Sequence, residues 1–320
     1  MKDRFTFIIN TYPSKDRQKQ LIKTLNSIYL QSYKDFEILL IENFIDLSKI
    51  LKIIKKYSRK QQIIKVIYDP TKKLSYLFNL GWRNSQTENI AYVADDVTLD
   101  KDWLKNAKEE LLNHKKGVII TGPIISNCYP AGEMHRLYLL SQKNIFMKFL
   151  SWPYLYFCME KNILAPGKLF ESGAYSLGSS IRQSLKYEKQ EIDLATTSSM
   201  VLTKTILKKL NGFDERFSFN HADGDLFIRA KAKGYKVIFD PNVRSIHNLR
   251  IGPSRNAYII GIDTARFYKK NIKPKTLKGI IGMIINILFL NCYWLYSSIR
   301  LKSPGQLTGI FGFIKGIFGR

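Results

Sequence analysis

The first 125 residues alternate between short apolar runs and longer stretches in which apolar residues recur at helical spacing. The apolar runs lie at 5–9, 36–41, 63–68, 90–93 and 118–121, and the helical stretches at 14–32, 48–61, 74–86 and 102–114. Strands this apolar are buried on both faces, which happens when helices connect parallel strands and cover the sheet. The pattern therefore predicts an α/β fold with a mostly parallel sheet, whose ligands bind at the carboxyl ends of the strands.

The composition is that of a folded and strongly basic protein. Of the 320 residues 45% are hydrophobic and 24% are charged, and 51 Lys and Arg exceed 26 Asp and Glu by 25. This charge predicts a polyanionic neighbour, such as phosphates, nucleic acid or an anionic membrane surface. Cys128, Cys158 and Cys292 are too few for a disulfide scaffold, and no cysteine has the spacing of a zinc site. Residues 1–10 are too charged for a secretory signal, so we expect a cytoplasmic chain.

The second part of the chain is less regular. Residues 127–195 are rich in Tyr, Phe, Leu and Trp with glycine-containing breaks, and their pattern predicts no definite elements. Regular structure returns after residue 196, with a predicted helix at 204–210, a helix after Asp225 and a strand at 236–239.

The last fifty residues carry seven basic residues and no acidic one. Residues 279–299 are uncharged, which is long enough to cross a bilayer, but Asn286 and Asn291 interrupt the apolar run. Aromatic residues such as Trp294 favour the membrane interface, and residues 309–318 form a second amphipathic stretch. We expect a helix lying in the headgroup plane rather than a single span, and a core helix of a soluble protein is the other alternative.

Carboxylates stand where a parallel sheet would place a ligand. Asp95 and Asp96 follow the fourth apolar run, and two adjacent carboxylates there are costly unless a cation such as Mg²⁺ or Mn²⁺ neutralises them. Asp102, further on, is a plausible cap of the next helix. The alternative for the Asp95–Asp96 pair is an ordinary turn, because Asp is common in loops.

Two further polar positions stand out near the predicted helix and strand of the second half. Asp223 and Asp225 precede a helical run, so one of them is either a helix N-cap or a general base that takes a proton from a hydroxyl. His247 follows a strand, where a neutral imidazole could complete a metal site or serve a structural role.

Several common nucleotide and hydrolase motifs are absent from the sequence. It contains no P-loop, no G-x-G-x-x-G after the first strand, no G-x-S-x-G and no H-E-x-x-H. The main sequence evidence for an ordinary kinase, a dinucleotide-binding enzyme or a hydrolase of these types is therefore missing.

Taken in order, the segments resemble inverting GT-A glycosyltransferases of the large family 2 type, which includes bacterial and archaeal surface-glycan enzymes. The matching segments are 6–12 (TFIINTY), 27–31 (SIYLQ), 36–43 (FEILLIEN), 91–96 (AYVADD) with 103–104 (WL), 211–215 (NGFDE), 223–226 (DGDL) with Arg229, and 234–247. The resemblance covers residues 4–250 apart from 127–195. Each segment is short, but their order and spacing are specific.

The resemblance implies a nucleotide-sugar site in the first half. Thr11 and Tyr12 correspond to the loop that contacts the base, and Glu42 stands where the family usually carries an Asp that reads the base. Lys73 and Asn79 fall near positions that contact the nucleotide in relatives.

The resemblance also implies the reacting groups. Asp95 and Asp96 correspond to the family's motif for metal and donor, with Asp96 as the direct ligand of Mn²⁺ or Mg²⁺. Asp223 stands where the family keeps its catalytic base, and His247 matches a position that sometimes binds the metal or the diphosphate. Ala94 and Ala222 depart from the pattern, because many relatives carry acidic residues at both positions.

From the resemblance over residues 4–250 and the composition of the tail, we expect three regions. Residues 1–125 form a nucleotide-sugar-binding half. Residues 126–270 form an acceptor-binding and catalytic half that includes the aromatic insertion 127–195. Residues 271–320 form a basic amphipathic segment that associates with the membrane.

The implied function is metal-assisted inverting transfer of a sugar from a nucleotide-diphosphate donor to a hydroxyl of a glycan or lipid-linked acceptor, as in cell-envelope polysaccharide synthesis. The expected place is the cytoplasmic face of the membrane, bound peripherally to anionic lipid, and no nucleic-acid partner is expected. The alternatives are a sugar-phosphate nucleotidyltransferase, an inactive relative that binds nucleotide sugar, and a basic protein that binds membranes or nucleic acid. A nucleotidyltransferase would carry glycines after the first strand, which residues 10–16 lack.

Overall fold

A computed structural model describes residues 3–11, 15–42, 55, 64–69, 73–114, 116–127, 133–176, 178–248 and 256–319 of the chain. The strands are β1 (Phe5–Asn10), β2 (Phe36–Glu42), β3 (Ile64–Tyr68), β4 (Asn89–Val93), β5 (Val97–Leu99), β6 (Val118–Thr121), β7 (Ile124–Ser126), β8 (Gln190–Glu191), β9 (Ser199–Thr203), β10 (Lys236–Phe239) and β11 (Ser245–His247). The helices are α1 (Lys15–Tyr29), α2 (Leu74–Asn84), α3 (Trp103–Asn113), α4 (Glu133–Lys143), α5 (Ile145–Pro153), α6 (Lys204–Leu210), α7 (Ala222–Ala232), α8 (Ala257–Asn271), α9 (Leu277–Arg300) and α10 (Thr308–Phe318). The helix predicted at 48–61 lies almost wholly outside the described residues.

The central element is an eight-stranded sheet with the order β3-β2-β1-β4-β9-β6-β10-β8. Strands β1 to β4 pair in parallel, as do β6 and β10, whereas β9 runs antiparallel to both β4 and β6. The predicted α/β fold with a mostly parallel sheet is therefore confirmed. The antiparallel strands β8 and β9 could not be foreseen, because an apolar run in a sequence carries no information about strand direction.

The same sheet takes strands from both sides of residue 125, since β9 and β10 lie beside β6. A second sheet of three short strands has the order β5-β11-β7 and also joins the two parts of the chain. The proposed boundary between two functional halves at residue 125 thus remains a prediction. It is not a structural boundary, because both sheets contain strands from before and after this residue.

Helices cover both faces of the large sheet, as strands without polar faces require. On one face Leu21 and Leu25 of α1 pack with Trp103 and Leu104 of α3 against β1, β2 and β6. The other face is covered by α2, α6, α7 and α8. Each fully buried Leu or Phe side chain contributes about 1.5–3 kcal/mol relative to exposure, so this two-sided core holds the strand ends in place.

Two details of the predicted helices are wrong. Asp102 precedes α3 at the N-cap position, but its side chain makes no capping hydrogen bond. The helix expected after Asp225 begins earlier, at Ala222, so Asp223 and Asp225 both lie in its first turn. His221 occupies the N-cap position, with a left-handed φ of 63°, and neither Asp is a cap. The Asp residues belong inside the turn because carboxylates are favourable near a helix N-terminus.

The aromatic stretch 127–195 is mainly helical in its first part. It contains α4, α5 and a π-helical turn at Tyr154–Cys158, followed by short 3₁₀ turns. No periodicity predicted these elements, because α5 is apolar on nearly all sides: Ile145, Phe146 and Phe149 are exposed.

The tail after residue 271 is well packed at several points although one of its helices is very apolar. The 24-residue α9 is the one helix, in the part of the chain that the structure describes, that is long and apolar enough to cross a membrane, and 17% of its most apolar window is buried. In α9 the amide of buried Asn286 accepts a hydrogen bond from Tyr154 Oη at 2.8 Å and donates to the hydroxyl of Tyr268 and the carbonyl of Ser172. Helix α10 packs closely on α8, where Gly312 faces the backbone of Tyr258, while Gly309 faces the Trp294 side chain of α9.

Candidate active site

A cavity of about 440 Å³ opens at the carboxyl ends of β1 and β4. This is the edge at which ligands of α/β sheets bind. Its described walls come from β1, α2, the turn after β4, the loop before β9, the start of α7 and the end of β11. The lining residues that bear polar side chains are Asn10, Asp95, Asp96, Thr196, Thr197, Ser198, Asn220, His221, Asp223 and His247.

The Asp95–Asp96 pair forms a tight turn between β4 and β5. The turn closes through a hydrogen bond of 3.1 Å from the Val97 amide to the Ala94 carbonyl. Thr24 Oγ1 of α1 donates to the Asp95 carbonyl at 3.0 Å, and the Asn248 amide donates to the Asp96 carbonyl at 2.9 Å. Because their backbones are fixed from two sides, these two carboxylates are held at the cavity wall with little freedom.

His247 reaches the same turn from the second half of the chain. Strand β11 pairs with β5 so that His247 lies opposite Val97, the residue after the acidic pair. His247 Nε2 lies 3.2 Å from Asp96 Oδ1. Two ligands of one octahedral cation with bonds of about 2.1 Å stand about 3 Å apart, so this pair has the separation that a shared Mn²⁺ or Mg²⁺ requires.

A bound cation would take only part of its ligands from the protein. Within the described ranges, no group of three or more His, Cys, Asp or Glu side chains is arranged to hold a metal ion. Mg²⁺ is commonly bound by one or two carboxylates together with substrate phosphates, so Asp96 with His247, beside Asp95, fits a metal that binds together with a diphosphate.

Asp223 faces the cavity from the first turn of α7. Its Oδ1 accepts a hydrogen bond of 2.9 Å from the Gly224 amide, and its Oδ2 accepts one of 3.4 Å from the Thr197 amide. Burial raises the pKa of this carboxyl, and the hydrogen bonds from Gly224 and Thr197 oppose the rise only in part. A carboxylate with a raised pKa is a stronger base than an ordinary Asp, which suits proton abstraction near neutral pH.

The side chain of Asp225, two residues later, is fully buried and turned away from the cavity. Its oxygens lie 2.7 Å from Arg229 Nε and 2.6 Å from Lys270 Nζ, so its charge is neutralised in a structural ion-pair cluster. Of the two Asp residues that the sequence left as alternatives, Asp223 is the one that the structure brings to the cavity.

The predicted nucleotide contacts are brought together only in part. Thr11 is buried directly after β1, where its amide donates to the Ile41 carbonyl at 3.0 Å. Lys73 is exposed at the start of α2, next to Leu74 of the cavity wall. Glu42 ends β2 opposite Tyr68, but its side chain is outside the described part of the structure, and so is the whole of Tyr12.

Asn79 does not reach this cavity, which corrects the expectation that it contacts the nucleotide. Its amide nitrogen donates to the Phe213 carbonyl at 2.9 Å and to Glu215 Oε1 at 2.7 Å, and its oxygen accepts hydrogen bonds from the Phe213 amide and Trp82 Nε1. A buried amide with all these partners fastens α2 to the turn after α6. Asn79 therefore serves packing in this protein, although it lies near positions that contact the nucleotide in relatives.

Sequence reasoning missed Asn10 as a site residue. It ends β1, is 7% exposed, and neither polar atom of its side chain has a hydrogen-bond partner among the described residues. A buried amide without partners costs free energy unless a ligand or water forms hydrogen bonds with it. Asn10 is therefore a candidate to bind a ligand in the cavity. Its place at the carboxyl end of the first strand was the available signal.

His221 was also missed as a wall of the cavity. It stacks on Phe267 of α8 with ring centroids 4.7 Å apart, and its Nε2 lies 3.1 Å from Thr264 Oγ1. Burial lowers its pKa to about 4, so the imidazole is neutral at physiological pH. The left-handed backbone at His221 turns the chain so that Asp223 points inward.

Ala94 and Ala222, where many relatives carry acidic residues, both line the cavity. The two missing carboxylates would have faced the same space as Asp96 and Asp223. The cavity is therefore less negative than the family pattern predicts, which reduces like-charge repulsion against a diphosphate.

This sheet, with a cavity at the ends of its parallel strands that is lined by carboxylates from both parts of the chain, has the GT-A fold of glycosyltransferases. A family model described as Glycosyl transferase family 2 matches residues 6–181, just over half of the chain. The chain therefore belongs to glycosyl transferase family 2 and is a glycosyltransferase. The resemblance to family 2 glycosyltransferases drawn from the sequence is confirmed, and the nucleotidyltransferase alternative is set aside.

Solved structures with the same fold are distant in sequence. S. aureus TarS 1–349 in complex with UDP-GlcNAc has a TM-score of 0.57 and 15% identity, covering 98% of this chain and 81% of that chain. GalNAc-T7 with UDP, GalNAc and Mn²⁺ has a TM-score of 0.59 and 12% identity, covering 83% of this chain and 47% of that one. At these identities the likeness shows the fold alone. No curated protein sequence matches the chain.

Proposed function

We propose that this enzyme transfers a sugar from a nucleotide diphosphate to an acceptor hydroxyl with inversion of the anomeric carbon. The observation that carries the proposal is the shared cavity, with Asp95 and Asp96 on one wall and Asp223 on another. Inversion in one step needs a leaving group and a base on opposite sides of the sugar. Two separate walls supply that arrangement, because one binds the diphosphate and the other aims the hydroxyl.

Asp96 and His247 would hold a divalent cation, with Asp95 beside them. The cation, Mn²⁺ or Mg²⁺, supplies charge neutralisation of the leaving diphosphate when bound. The 3.2 Å approach of His247 Nε2 to Asp96 Oδ1 supports this assignment. Mn²⁺ accompanies UDP in the GalNAc-T7 structure, which makes it the first metal to test.

Asp223 would act as the general base. Its carboxylate takes the proton of the acceptor hydroxyl while that oxygen forms a bond to the anomeric carbon. The bond from the same carbon to the diphosphate oxygen breaks, and the nucleoside diphosphate leaves with that electron pair. The raised pKa of Asp223 supports this role, because general bases work best when their pKa lies closer to the working pH.

The donor would be a uridine diphosphate sugar. TarS has been solved with UDP and with UDP-GlcNAc, and GalNAc-T7 with UDP and GalNAc, so UDP sugars are the first candidates for this chain. Asn10, whose amide is buried without a partner among the described residues, would contact the donor at the floor of the cavity.

The acceptor would be lipid-linked, or a glycan at the membrane, and the enzyme would bind peripherally to the cytoplasmic leaflet. Helix α5 exposes 87% of Ile145 and 81% of Phe149. Trp152 stacks on Tyr156 at 4.9 Å, and Lys278 Nζ lies 4.4 Å from the Tyr156 ring. Apolar and aromatic side chains flanked by basic ones are typical of surfaces that lie in a headgroup layer.

The test is a screen of nucleotide diphosphates and nucleotide sugars by thermal shift, with and without Mn²⁺. Ligands that bind only the folded state raise the unfolding temperature. We expect a metal-dependent rise with UDP and one UDP sugar, followed by product of opposite anomeric configuration in nuclear magnetic resonance spectra. Product that retains the donor's configuration would exclude the single-displacement mechanism.

A further inference from the structure

Asp263 of α8 is a fully buried carboxylate that packs against the loop leading into α7. Its Oδ2 accepts hydrogen bonds from three consecutive backbone amides, those of Ser218 at 3.0 Å, Phe219 at 2.7 Å and Asn220 at 3.0 Å. Successive amides that converge on one carboxylate oxygen hold it strongly, because each bond is charge-assisted. The carboxylate therefore fixes the backbone of residues 218–220, of which Phe219 and Asn220 line the cavity.

The next residue of α8, Thr264, holds the following residue of the loop. Thr264 Oγ1 donates to the Ile260 carbonyl at 2.7 Å, so the same oxygen accepts a hydrogen bond from His221 Nε2 at 3.1 Å. Further along α8, Phe267 stacks on the imidazole. The backbone of His221 is left-handed, which is unfavourable for a residue with a side chain and persists only where the surrounding structure enforces it. Helix α8 provides these enforcing contacts.

The turn at His221 sets the position of Asp223. The His221 carbonyl accepts the hydrogen bond of 3.0 Å from the Asp225 amide, with which α7 begins, and Asp223 lies within this first turn. The Asp223 carboxylate accepts a hydrogen bond of 2.9 Å from the Gly224 amide inside the same turn. The direction of the carboxylate therefore follows the backbone of the loop and of the turn.

The loop is held on its other side by α2, whose Leu74 lines the same cavity. The Leu74 amide donates to the Ser218 carbonyl at 2.7 Å, and the Ser75 hydroxyl donates to the Phe217 carbonyl. Ser218 is thus bound through its carbonyl by α2 and through its amide by α8. A loop that is held from both sides keeps one backbone geometry, and loss of the contacts to α8 should release it.

The stability of the fold does not explain the Asp263 carboxylate. Burial raises its pKa, although the three amides and Arg266 oppose the rise, so its charged form is less favourable in the folded protein than in water. A carboxylate at this place has another use, because its oxygens can accept several amides in one fixed geometry.

We propose that Asp263 and Thr264 are positioning residues for Asp223. Their side chains fix the loop of residues 218–221, and this loop presents the Asp223 carboxylate to the cavity. The inference rests on the proposed role of Asp223 as general base and adds two residues that act through it. Neither Asp263 nor Thr264 is among the described residues that line the cavity, so neither is a catalytic residue.

Hydrogen–deuterium exchange tests the contacts without any activity. Asp263→Asn keeps the size of the side chain, but it removes the charge and turns one acceptor atom into a donor. We expect the amides of residues 218–220 to exchange about tenfold faster or more in this variant, because the loop opens more easily. Asp240→Asn is the matched control, since Asp240 is also buried and accepts a hydrogen bond of 2.8 Å from the Asn242 amide, away from this loop. It should leave the exchange of residues 218–220 unchanged.

Steady-state transfer of the UDP sugar that the parent enzyme uses tests the role in catalysis. A base that is out of position slows the chemical step but leaves donor binding intact, so in Asp263→Asn kcat should fall about tenfold or more while the donor KM changes less than about twofold. In an Asp223→Asn background the same change should slow the residual transfer less than about twofold, because the residue through which Asp263 acts is gone. Asp240→Asn should keep the kcat of the parent.

Thr264→Val is a second variant that leaves the contacts of Asp263 in place. Val has the shape of Thr but lacks the oxygen that accepts from His221 Nε2, so we expect kcat to fall by about threefold, and again not in the Asp223→Asn background. The rise of the unfolding temperature with UDP and Mn²⁺ checks that each variant is folded. If Asp263→Asn does not fold, Thr264→Val decides the question.

Several results would overturn the proposal. Unchanged exchange of residues 218–220 in Asp263→Asn would show that the carboxylate does not hold the loop. Equal losses of kcat in the parent and Asp223→Asn backgrounds, or a loss confined to the donor KM, would show that the α8 residues do not act through Asp223. A parent enzyme that transfers no sugar would overturn the proposed function and with it the role of Asp263 in catalysis, whereas the other results leave the proposed function standing.

Discussion

In the proposed mechanism the chemistry depends on Asp223, and burial of its carboxylate is costly for the fold. A carboxyl whose pKa is raised by folding destabilises the folded state once pH exceeds its unfolded pKa, because the charged form is favoured in water. A buried carboxylate of this kind does not stabilise the fold, so a functional role is the better explanation for its presence.

Asp223→Asn should therefore separate activity from stability. We expect sugar transfer to fall by about 10²–10⁴-fold, the usual contribution of a general base, while UDP binding with Mn²⁺ is unchanged. The unfolding temperature should stay equal or rise, since the buried charge is gone. Matched assays of transfer, UDP titration and thermal unfolding check this, and retained turnover would remove Asp223 as base.

The rate should also depend on pH through Asp223. Because the base must be deprotonated, kcat/KM should fall as pH decreases through the pKa of this carboxyl, at a higher pH than an ordinary Asp would give. His221 should not set this decrease, because its ring stacks on Phe267 and its Nε2 contacts Thr264, so Asn in its place should leave the pH dependence unchanged. A limb that moves in His221→Asn would contradict the assignment.

Asp96 should govern the metal. Asp96→Ala is expected to weaken UDP binding by at least tenfold with Mn²⁺ and to leave metal-free binding unchanged, because the ligand it removes acts only through the cation. Asp225→Asn is not a control here, since Asp225 holds α7 through Arg229 and Lys270. Asp102→Ala, on the exposed start of α3, is the matched control and should bind as the parent does. Equal metal-dependent binding in Asp96→Ala would exclude the role.

At the scale of elements, α9 combines an apolar surface with a buried polar anchor. Asn286 forms hydrogen bonds with the hydroxyls of Tyr154 and Tyr268 and with the carbonyl of Ser172. These bonds connect α9 to α8 and to the π-helical turn. Gly282 allows the close approach, because a Cβ there would lie 2.3 Å from the Phe157 carbonyl oxygen. These contacts favour a helix that stays packed on the protein through its buried face.

Asn286→Leu should destabilise the fold by about 1–3 kcal/mol, because it leaves buried hydroxyls of Tyr154 and Tyr268 without their partner. The matched control is Asn291→Leu, whose amide donates within α9 to the Ile287 carbonyl at 2.8 Å and is only half-buried. That change should cost less than 0.5 kcal/mol. Chemical unfolding of both variants gives the comparison, and equal losses would show that the anchor is unimportant.

The elements of the first half were predictable because they bury regular patterns. Strands β1, β2 and β4 and helices α1 and α3 appear close to their predicted places, since two-sided burial requires long apolar runs and 3.6-residue spacing. The direction of β9 and the helices α4 and α5 were not predictable. Strand direction depends on neighbours distant in sequence, and α5 has no polar face to mark its period.

The candidate site was predictable to a similar extent. Asp95, Asp96, Asp223 and His247 were singled out from their places after strands and before a helix, and they line one cavity. Asn79 was misplaced because its buried hydrogen bonds depend on a turn more than 130 residues away. Asn10 and His221 were missed because no sequence motif marks a buried amide at a strand end or a His with a left-handed backbone.

At the scale of the whole molecule, the proposal of peripheral membrane binding rests on the charge of +25 and on the exposed apolar face of α5. A nucleotide-diphosphate donor would engage only one cleft, which would leave most of the basic residues for a larger anionic surface. In this proposal, long-range attraction brings the protein to the surface and apolar insertion holds it there.

The Phe146→Ser, Phe149→Ser double variant should lose flotation with phosphatidylglycerol vesicles by at least fivefold, and added salt should weaken the parent's binding. Leu112→Ser on α3 is the control and should float as the parent does. Deleting 276–320 should have the same effect as the double variant if the shortened chain still shows the UDP thermal shift. Identical flotation of all variants would reject the peripheral membrane proposal.

The measurement that tests the central claim most directly is anomalous X-ray scattering from a crystal of the enzyme grown with UDP and Mn²⁺. The account predicts one manganese peak at bonding distance from Asp96, bridging to the diphosphate, with Asp223 facing the empty sugar position across the same cavity. Manganese and UDP bound away from Asp96, or a nucleotide whose diphosphate points away from Asp223, would contradict it.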